Sequence, residues 1–432
     1  MQVICPSCGH RAERDITVGE ELRCSECDGT YRVLADGTSV AWEYRAEFVT
    51  HSTQPAERKL AAKGVLVMVL CWLGVILFLQ SRSVLQNAQD KADSPPGDIL
   101  AARGEVKAVA FSPDGARLAT AGGIYKGRRR WETGEIRIWD PKTKACLVAF
   151  AGHPTGVTGL AFSPDGKRLV SASTDGVKVW DAASGKLLII VNKSPNEEPW
   201  RVTYDPQGQR LAILSETADF HGGRTRLVLR VCRAPQAVAD EEQETLLYYP
   251  FEAGSSTRFG WDVPRLAFSP DGMRLACGRD DTVLIWDFRP DRPSDPCEPA
   301  LVLRGHTYPV RDQVFGPDGQ QLATTGDDET LRIWDAATGR ELLKFDSPRA
   351  GIAGYRSVDC LAYSPDGKYL AGGKAQNLAI WDAATGRELH FLRWHSGQIE
   401  GVAFSPDGRT LATGADDHHI KLWNLAALGL DK

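Results

Sequence analysis

Four cysteines near the amino terminus carry the most specific chemistry in the chain. Cys5-Pro6-Ser7-Cys8-Gly9 and Cys24-Ser25-Glu26-Cys27-Asp28-Gly29 are two C-x-x-C pairs separated by 15 residues, a spacing at which two turns converge four thiolates on one tetrahedral metal ion. Zinc and iron both accept such a site. Closed coordination by Cys5, Cys8, Cys24 and Cys27 leaves no open position for a substrate, so the implied role is structural. A disulfide framework is the weaker reading, because adjacent C-x-x-C thiols suit metal or redox chemistry better than a scaffold. The segment is too small to bury a core of its own, so the metal must supply its folding energy. Arg11, Arg14, Arg23 and Arg32 are balanced by Glu13, Asp15, Glu20, Glu21, Glu26 and Asp28, which gives nucleic acid no basic face to bind.

Beyond the cysteines, no Gly-rich phosphate loop, zincin motif or nucleophile elbow occurs in the repeated part of the sequence. Net charge is only -5, from 51 Lys and Arg against 56 Asp and Glu, which excludes a bulk field that would gather nucleic acid. Glycine and proline recur in a rhythm, and that rhythm defines the elements. Ser112-Pro113-Asp114-Gly115 returns at Ser163 to Gly166, Ser269 to Gly272, Ser364 to Gly367 and Ser405 to Gly408, with variants at Asp205 to Gly208 and Gly316 to Gly319. Pro second, Asp third and Gly fourth suit a type I turn, because proline presets φ and glycine relieves the exit. Each marker reads as a hairpin tip between alternating apolar runs such as Val109-Ala110-Phe111 and Leu322-Ala323-Thr324.

A further run then ends in Trp-Asp or a close variant, at Trp139, Trp180, Trp286, Trp334, Trp381 and Trp423, with Val231-Cys232-Arg233 holding that place in the third unit. A turn and a fourth apolar run follow most of them. Four strands per unit, seven times over, predict an all-β, seven-bladed propeller. These motifs resemble the WD40 family over about 330 residues, and the repeated Trp-Asp and Gly-His favour it over the TolB-like propellers. The resemblance implies buried hydrogen-bond networks built from His153, Ser171, Asp175 and Trp180; from His306, Thr324, Asp328 and Trp334; and from His395, Thr413, Asp417 and Trp423. It also implies a structural role for these sets, since a Ser and His buried beside a Trp give a nucleophile no access. Ile99 to Ala102 is expected to supply the missing outer strand of the last unit, because the chain stops soon after Trp423.

Longer segments between strands ask for another cause. The first unit carries Ile124 to Gly134, with Arg128, Arg129, Arg130 and Trp131; the third carries Thr217 to Thr225 and is followed by Pro250 to Val263, with Arg258 and Trp261. Trp200 and Trp394 are expected on loops of the same face. Trp and Arg dominate binding hot spots, so this face is the candidate site for a protein partner, with pinning of each loop to the ring as the alternative role for each Trp.

The cysteine segment is similar to a zinc ribbon. It lacks, between its knuckles, the aromatic residues that pack an iron site of rubredoxin type, which favours zinc. Leu60 to Leu79 is almost wholly apolar, and about 20 helical residues at about 1.5 Å each span a bilayer's hydrocarbon core. The expected organisation is a metal module over 1–40, a juxtamembrane segment over 41–59, a transmembrane helix over 60–79, a polar linker over 80–97 and the propeller over 98–432. Arg45, Arg58, Lys59 and Lys63 precede the span while Arg82 and Lys91 follow it, which puts the ribbon in the cytoplasm and the propeller on the outer side. Five propeller cysteines, an odd number, argue against an oxidising compartment. The expected function is that of a membrane-anchored interaction scaffold and not an enzyme; a sensor whose channel or loops capture a small molecule or saccharide is the alternative.

Overall fold

The computed structural model describes residues 98–125, 131–191, 196–218, 225–235, 245–252, 263–289, 298–346 and 357–430, together with four short strands before them. The chain divides into two units, Met1–Val84 and Leu85–Lys432.

In the first unit, Gln2–Ile4 pairs antiparallel with Arg11–Glu13, and Glu21–Arg23 with Thr30–Arg32. Each C-x-x-C pair therefore lies in the segment that joins the strands of one hairpin. The four cysteines themselves, and Leu60 to Leu79, lie outside the described residues.

The second unit is a ring of seven four-stranded antiparallel sheets. Blade one comprises Glu105–Phe111, Leu118–Tyr125, Trp131–Trp139 and Cys146–His153, from axis to rim. Blades two to six follow in sequence, and their inner strands begin at Val157, Glu197, Leu266, Val310 and Cys360. Blade seven takes Ile399–Phe404, Thr410–Ala415 and His419–Asn424 from the carboxy-terminal end, and its outer strand, Asp98–Ala101, from before blade one. That pairing, Asp98 against Leu422 through Ala101 against His419, closes the ring.

Seven hydrophobic clusters fill the seven gaps between neighbouring blades. Strand alternation places one apolar face of each blade against the next, so no blade buries its surface alone. The cluster between blades seven and one contains Leu100, Val106, Leu118, Trp139, Ala412, Ile420 and Leu422, so the closing strand also contributes core.

The hairpin tips form as their residues dictate. Ser112 Oγ donates to Asp114 Oδ1 at 2.5 Å and accepts the Arg117 N–H at 2.9 Å. Gly115 exits at φ 68° and donates to Ser112 O. A side chain there would strain the backbone and also meet Pro406 of the preceding blade, since an added Cβ would lie 3.4 Å from its ring. The turn is thus selected by its own φ, since the contact with Pro406 would be an ordinary one.

Candidate functional site

The three histidine sets come together as continuous hydrogen-bond chains. His306 Nε2 lies 2.8 Å from Thr324 Oγ1, which accepts Trp334 Nε1–H at 2.9 Å, while His306 Nδ1 lies 2.9 Å from Asp328 Oδ1. In the next such set His395 Nε2 is 2.8 Å from Thr413 Oγ1, Trp423 Nε1–H donates to that oxygen at 3.1 Å, and Nδ1 is 2.9 Å from Asp417 Oδ2. His153 repeats the pattern with Ser171 at 2.7 Å, Trp180 at 2.8 Å and Asp175 at 2.5 Å. One proton arrangement satisfies every member: indole N–H to hydroxyl, hydroxyl O–H to a neutral imidazole nitrogen, and the other imidazole N–H to an ionised carboxylate. Burial holds His153 and His395 below the usual histidine value. Burial opposes ionisation of Asp175, but bonds from His153 and Lys178 outweigh it and hold that carboxyl at about 2. The hydroxyls of Ser171, Thr324 and Thr413 are wholly buried and have no path to a substrate.

Where a blade lacks the histidine, the chain is cut at a definite point. Two residues beyond the leucine that pairs with the Trp, blade one still offers Thr120, which accepts Trp139 Nε1–H at 2.9 Å. Blade four offers Cys277 at that register and blade six Gly372. Trp286 Nε1 and Trp381 Nε1 are buried without a partner among the described residues. Blade three replaces both ends of the chain, with Ile213 for the hydroxyl and Cys232 for the Trp.

The expected partner site places differently. Trp131 is not on a loop: it opens a strand and pairs with Tyr125, because both strands of that hairpin run past the neighbouring sheets. Trp200 is also on a strand, at a register irregularity of Glu197–Tyr204, and its ring packs on the cluster between blades three and four. Trp394 does follow a strand end, yet its ring packs on the cluster around Trp423, 6.5 Å away and nearly perpendicular, with the Lys421 ammonium 5.4 Å above it. Trp200 and Trp394 therefore pin chain to the ring. Arg128, Arg129, Arg130, Arg258 and Trp261 lie outside the described residues.

A polar hub on the axis is a feature that the motifs do not announce. Inner strands shift register at Lys107, Thr158, Trp200, Arg311 and Glu400, and polar side chains at or next to these positions gather on the axis. Arg201 of blade three donates to Thr158 O of blade two at 2.6 Å and to Val263 O before blade four at 3.4 Å. Arg265 donates across the axis to Glu400 O of blade seven and lies 3.3 Å from Asp312 of blade five. Asp312 accepts the Leu361 N–H of blade six at 2.7 Å. Lys107 of blade one meets Glu400 at 3.0 Å and Asp416 at 2.7 Å, with Glu105 at 3.3 Å. Every blade is thus tied to the hub. One ammonium serves three carboxylates there, so burial and the Glu400 charge push Asp416 up to about 7. Burial likewise pushes Asp312 up to about 6 and Asp359 to about 7. Counting five residues back from each turn marker gives Lys107, Thr158, Trp200, Pro264, Arg311, Asp359 and Glu400, a slot that is polar in five of the seven blades but misses Arg201, Arg265 and Asp312, which stand one residue later.

Below the hub a cavity of about 430 Å³ opens among the inner strands of blades two to six, lined by Thr203, Tyr204, Arg265, Phe268, Asp312 and Phe315 among others. Buried thiols are kept protonated: burial raises Cys232 to about 11 and Cys360 to about 12, and Cys277 further still. Among the described residues no cluster of His, Cys, Asp and Glu is arranged to hold a metal, and no helix is long and apolar enough to cross a membrane.

Fold and relays together define a seven-bladed propeller whose repeated histidines are engaged in structure. Comparison with known families places it further: residues 98–140, 144–181, 256–287, 297–335, 347–382 and 386–424 match the WD domain, G-beta repeat, and the chain belongs to that family. The gap between 181 and 256 coincides with blade three, which lacks both Trp and hydroxyl. Among curated relatives, a guanine nucleotide-binding protein subunit beta of Oryza sativa subsp. japonica is 25% identical over 333 residues, covering 66% of this chain and 84% of that protein. A nuclear distribution protein PAC1 of Arthroderma otae is 26% identical over 316 residues, covering 67% and 63%. A periodic tryptophan protein 2 homolog of Dictyostelium discoideum is 27% identical over 241 residues, covering 55% of this chain but only 23% of that protein. The chain thus spans less than two thirds of the length of several of these relatives.

Proposed function

We propose that this protein is a membrane-anchored scaffold and not an enzyme. Its ring engages protein partners through the face that carries the blade-to-blade links, and Leu60 to Leu79 spans the bilayer. The supporting observation is on that face: Tyr308, in the link from blade four to blade five, is 61% exposed, the most of any large apolar or aromatic side chain among the described residues. Three residues on, Arg311 is held by Asp327 at 2.5 Å, so this link and the start of the strand it enters carry an aromatic and an oriented guanidinium, the residue types that anchor interfaces. A photo-crosslinking residue in place of Tyr308 should give a discrete protein adduct in intact cells, lost when Arg311→Glu is added. No adduct, or one unaffected by Arg311→Glu, would remove this face from the interface.

The first unit fits a structural zinc site. Each C-x-x-C pair sits in the connection of a hairpin, which is how Cys5 and Cys8, and Cys24 and Cys27, would be presented as two halves of a tetrahedron. Zinc there would supply folding energy and no reaction. The charge asymmetry around the span supports a cytoplasmic ribbon and an outward propeller, and burial of Cys232, Cys277 and Cys360 takes three of the five propeller thiols out of reach of oxidation, while Cys146 is exposed.

The cavity under the hub favours a second reading, a ligand-binding sensor. Its volume of about 430 Å³ lies within the range of about 300–1,000 Å³ typical of small-molecule sites. Titration calorimetry with mono- and disaccharides on the full chain, beside Thr203→Trp to fill the cavity, separates the two readings.

A further inference from the structure

The cavity under the hub changes chemistry along its depth. Phe162, Leu266, Phe268 and Phe315 are in its lining, and so are Arg265 and Asp312. The three Phe residues each stand immediately before the hairpin-tip marker of their blade, whereas Arg265 and Asp312 stand four residues before it. Three strand residues at about 3.4 Å each set the two layers roughly 10 Å apart. One end of the cavity is thus aromatic and the other carries the Arg265 and Asp312 pair.

Of the three charged residues in the lining, one has capacity to spare. Asp205 is 1% exposed, and its carboxylate accepts the Gln209 and Arg210 N–H groups at 2.7 and 2.9 Å. The Asp312 side chain is 4% exposed and accepts the Gln313 and Leu361 N–H groups at 2.7 Å each. The Arg265 side chain is 24% exposed; its Nη2 donates to Glu400 O and its Nε faces Asp312, but its Nη1 makes no hydrogen bond among the described residues. Arg201 stands near enough that burial, and then the Arg265 charge, hold its guanidinium down at about 10. Two guanidinia therefore share Asp312. The hub's other carboxylates, on Glu105, Asp327, Asp359, Glu400 and Asp416, are absent from the lining, as are those of the adjoining hairpin tips, on Asp165, Asp271 and Asp318.

We infer that this cavity binds a small organic carboxylate, with its apolar body against the Phe268 and Phe315 rings and its head group received by Arg265 Nη1. The inference rests on the second reading above, that the cavity is a ligand site, and adds the class of ligand. A single negative charge matches a floor on which two guanidinia share one carboxylate. A phosphate monoester fits less well, because its second charge would face Asp312. Enclosure strengthens the contact, since a guanidinium and a carboxylate attract more strongly where water is scarce.

The test is calorimetric titration of the full chain in detergent, against protein-free micelles, with phenylacetate and with its neutral isostere phenylacetamide. The acid should bind about tenfold more tightly than the amide, because a charge-assisted hydrogen bond is roughly twice as strong as a neutral one. Arg265→Gln should bring the acid down to the affinity of the amide and leave the amide unchanged. Thr203→Trp, which fills the cavity, should abolish both. The comparison of acid with amide on the wild type, and its loss in Thr203→Trp, stand whether or not Arg265→Gln folds. Equal affinity for the two compounds, lost in Thr203→Trp, overturns the inference and leaves the ligand reading in place. A preference for the acid that persists in folded Arg265→Gln, or binding that ignores Thr203→Trp, also overturns it. Binding of neither compound overturns the inference, and the ligand reading falls with it where the saccharides fail too.

Discussion

At the scale of single residues, the relays show how one hydroxyl decides whether a buried indole is satisfied. Thr413 accepts from Trp423 and stands 2.8 Å from His395. Thr413→Val keeps the shape and removes both bonds, leaving an N–H and an imidazole nitrogen buried and unpaired, which should cost about 1–3 kcal/mol. Urea denaturation should show a lowered midpoint with an unchanged slope. The opposite change is available in blade four, where the Cys277 thiol stands at the register of that hydroxyl while Trp286 Nε1 has no partner among the described residues. Cys277→Ser should supply the acceptor and raise stability by about 0.5–1.5 kcal/mol. An unchanged or lowered midpoint would mean that the indole N–H is already satisfied another way. The same substitution is closed to blade six, because an added Cβ at Gly372 would lie 2.6 Å from Val358 Cγ1 and 3.0 Å from Cys360 O.

At the scale of elements, the closing strand is the joint on which the ring depends. Leu100 is 4% exposed and packs with Val106 and Trp139 of blade one and with Ile420 and Leu422 of blade seven. Leu100→Asp puts an unpaired charge in that cluster and removes its apolar contact, so a loss of about 3 kcal/mol or more is expected, from lost packing and from burial of a polar group. Limited proteolysis should then cut first between blades seven and one, whereas the exposed Leu147→Asp should leave the digestion pattern unchanged. This strand is legible in the sequence, because the repeats leave blade seven one strand short and Ile99 to Ala102 is an apolar run just ahead of blade one, whereas Leu425 to Leu430, close after Trp423, forms a 3-10 turn instead. The turns and the three relays are equally legible, each set by residues at fixed spacing. The partner face is not. Trp131 and Trp200 are bulky residues in long inter-motif segments, and nothing in their spacing reveals that the flanking strands of blades one and three extend to include them. The hub is hidden for a different reason: its members are single polar residues scattered over the blades, and Arg201, Arg265 and Asp312 stand one residue off the repeat position that Lys107 and Glu400 occupy.

At the scale of the whole molecule, the hub converts local burial into a dependence of ring stability on pH. Asp359 lies at the channel mouth, where its carboxylate accepts from Ser357 Oγ and Gln398 Nε2 at 3.1 Å each, and burial pushes it up to about 7. A carboxyl that binds its proton more tightly folded than unfolded adds stability that is complete below about pH 4, the unfolded value, and disappears as pH rises through about 7. Asp416 and Asp312, raised to about 7 and about 6, act with the same sign. The relays act with the opposite sign. His153 and His395 are held neutral by burial, so their contribution is present above the unfolded histidine value of about 6.5 and is lost as pH falls below it. Since the two effects oppose each other between about pH 5 and pH 8, the wild-type profile alone does not separate them, but a substitution that removes one term does. Asp359→Asn keeps an oxygen for Gln398 and cannot ionise, so its stability relative to wild type should be greater at pH 8 than at pH 5. With roughly 1.4 kcal/mol for each unit of displacement, the swing should be of the order of 2 kcal/mol. Denaturation midpoints at the two pH values measure it. A difference between wild type and Asp359→Asn that stays flat would show that Asp359 ionises freely in the folded ring, and that the hub's charges are solvated through the channel and not confined by it.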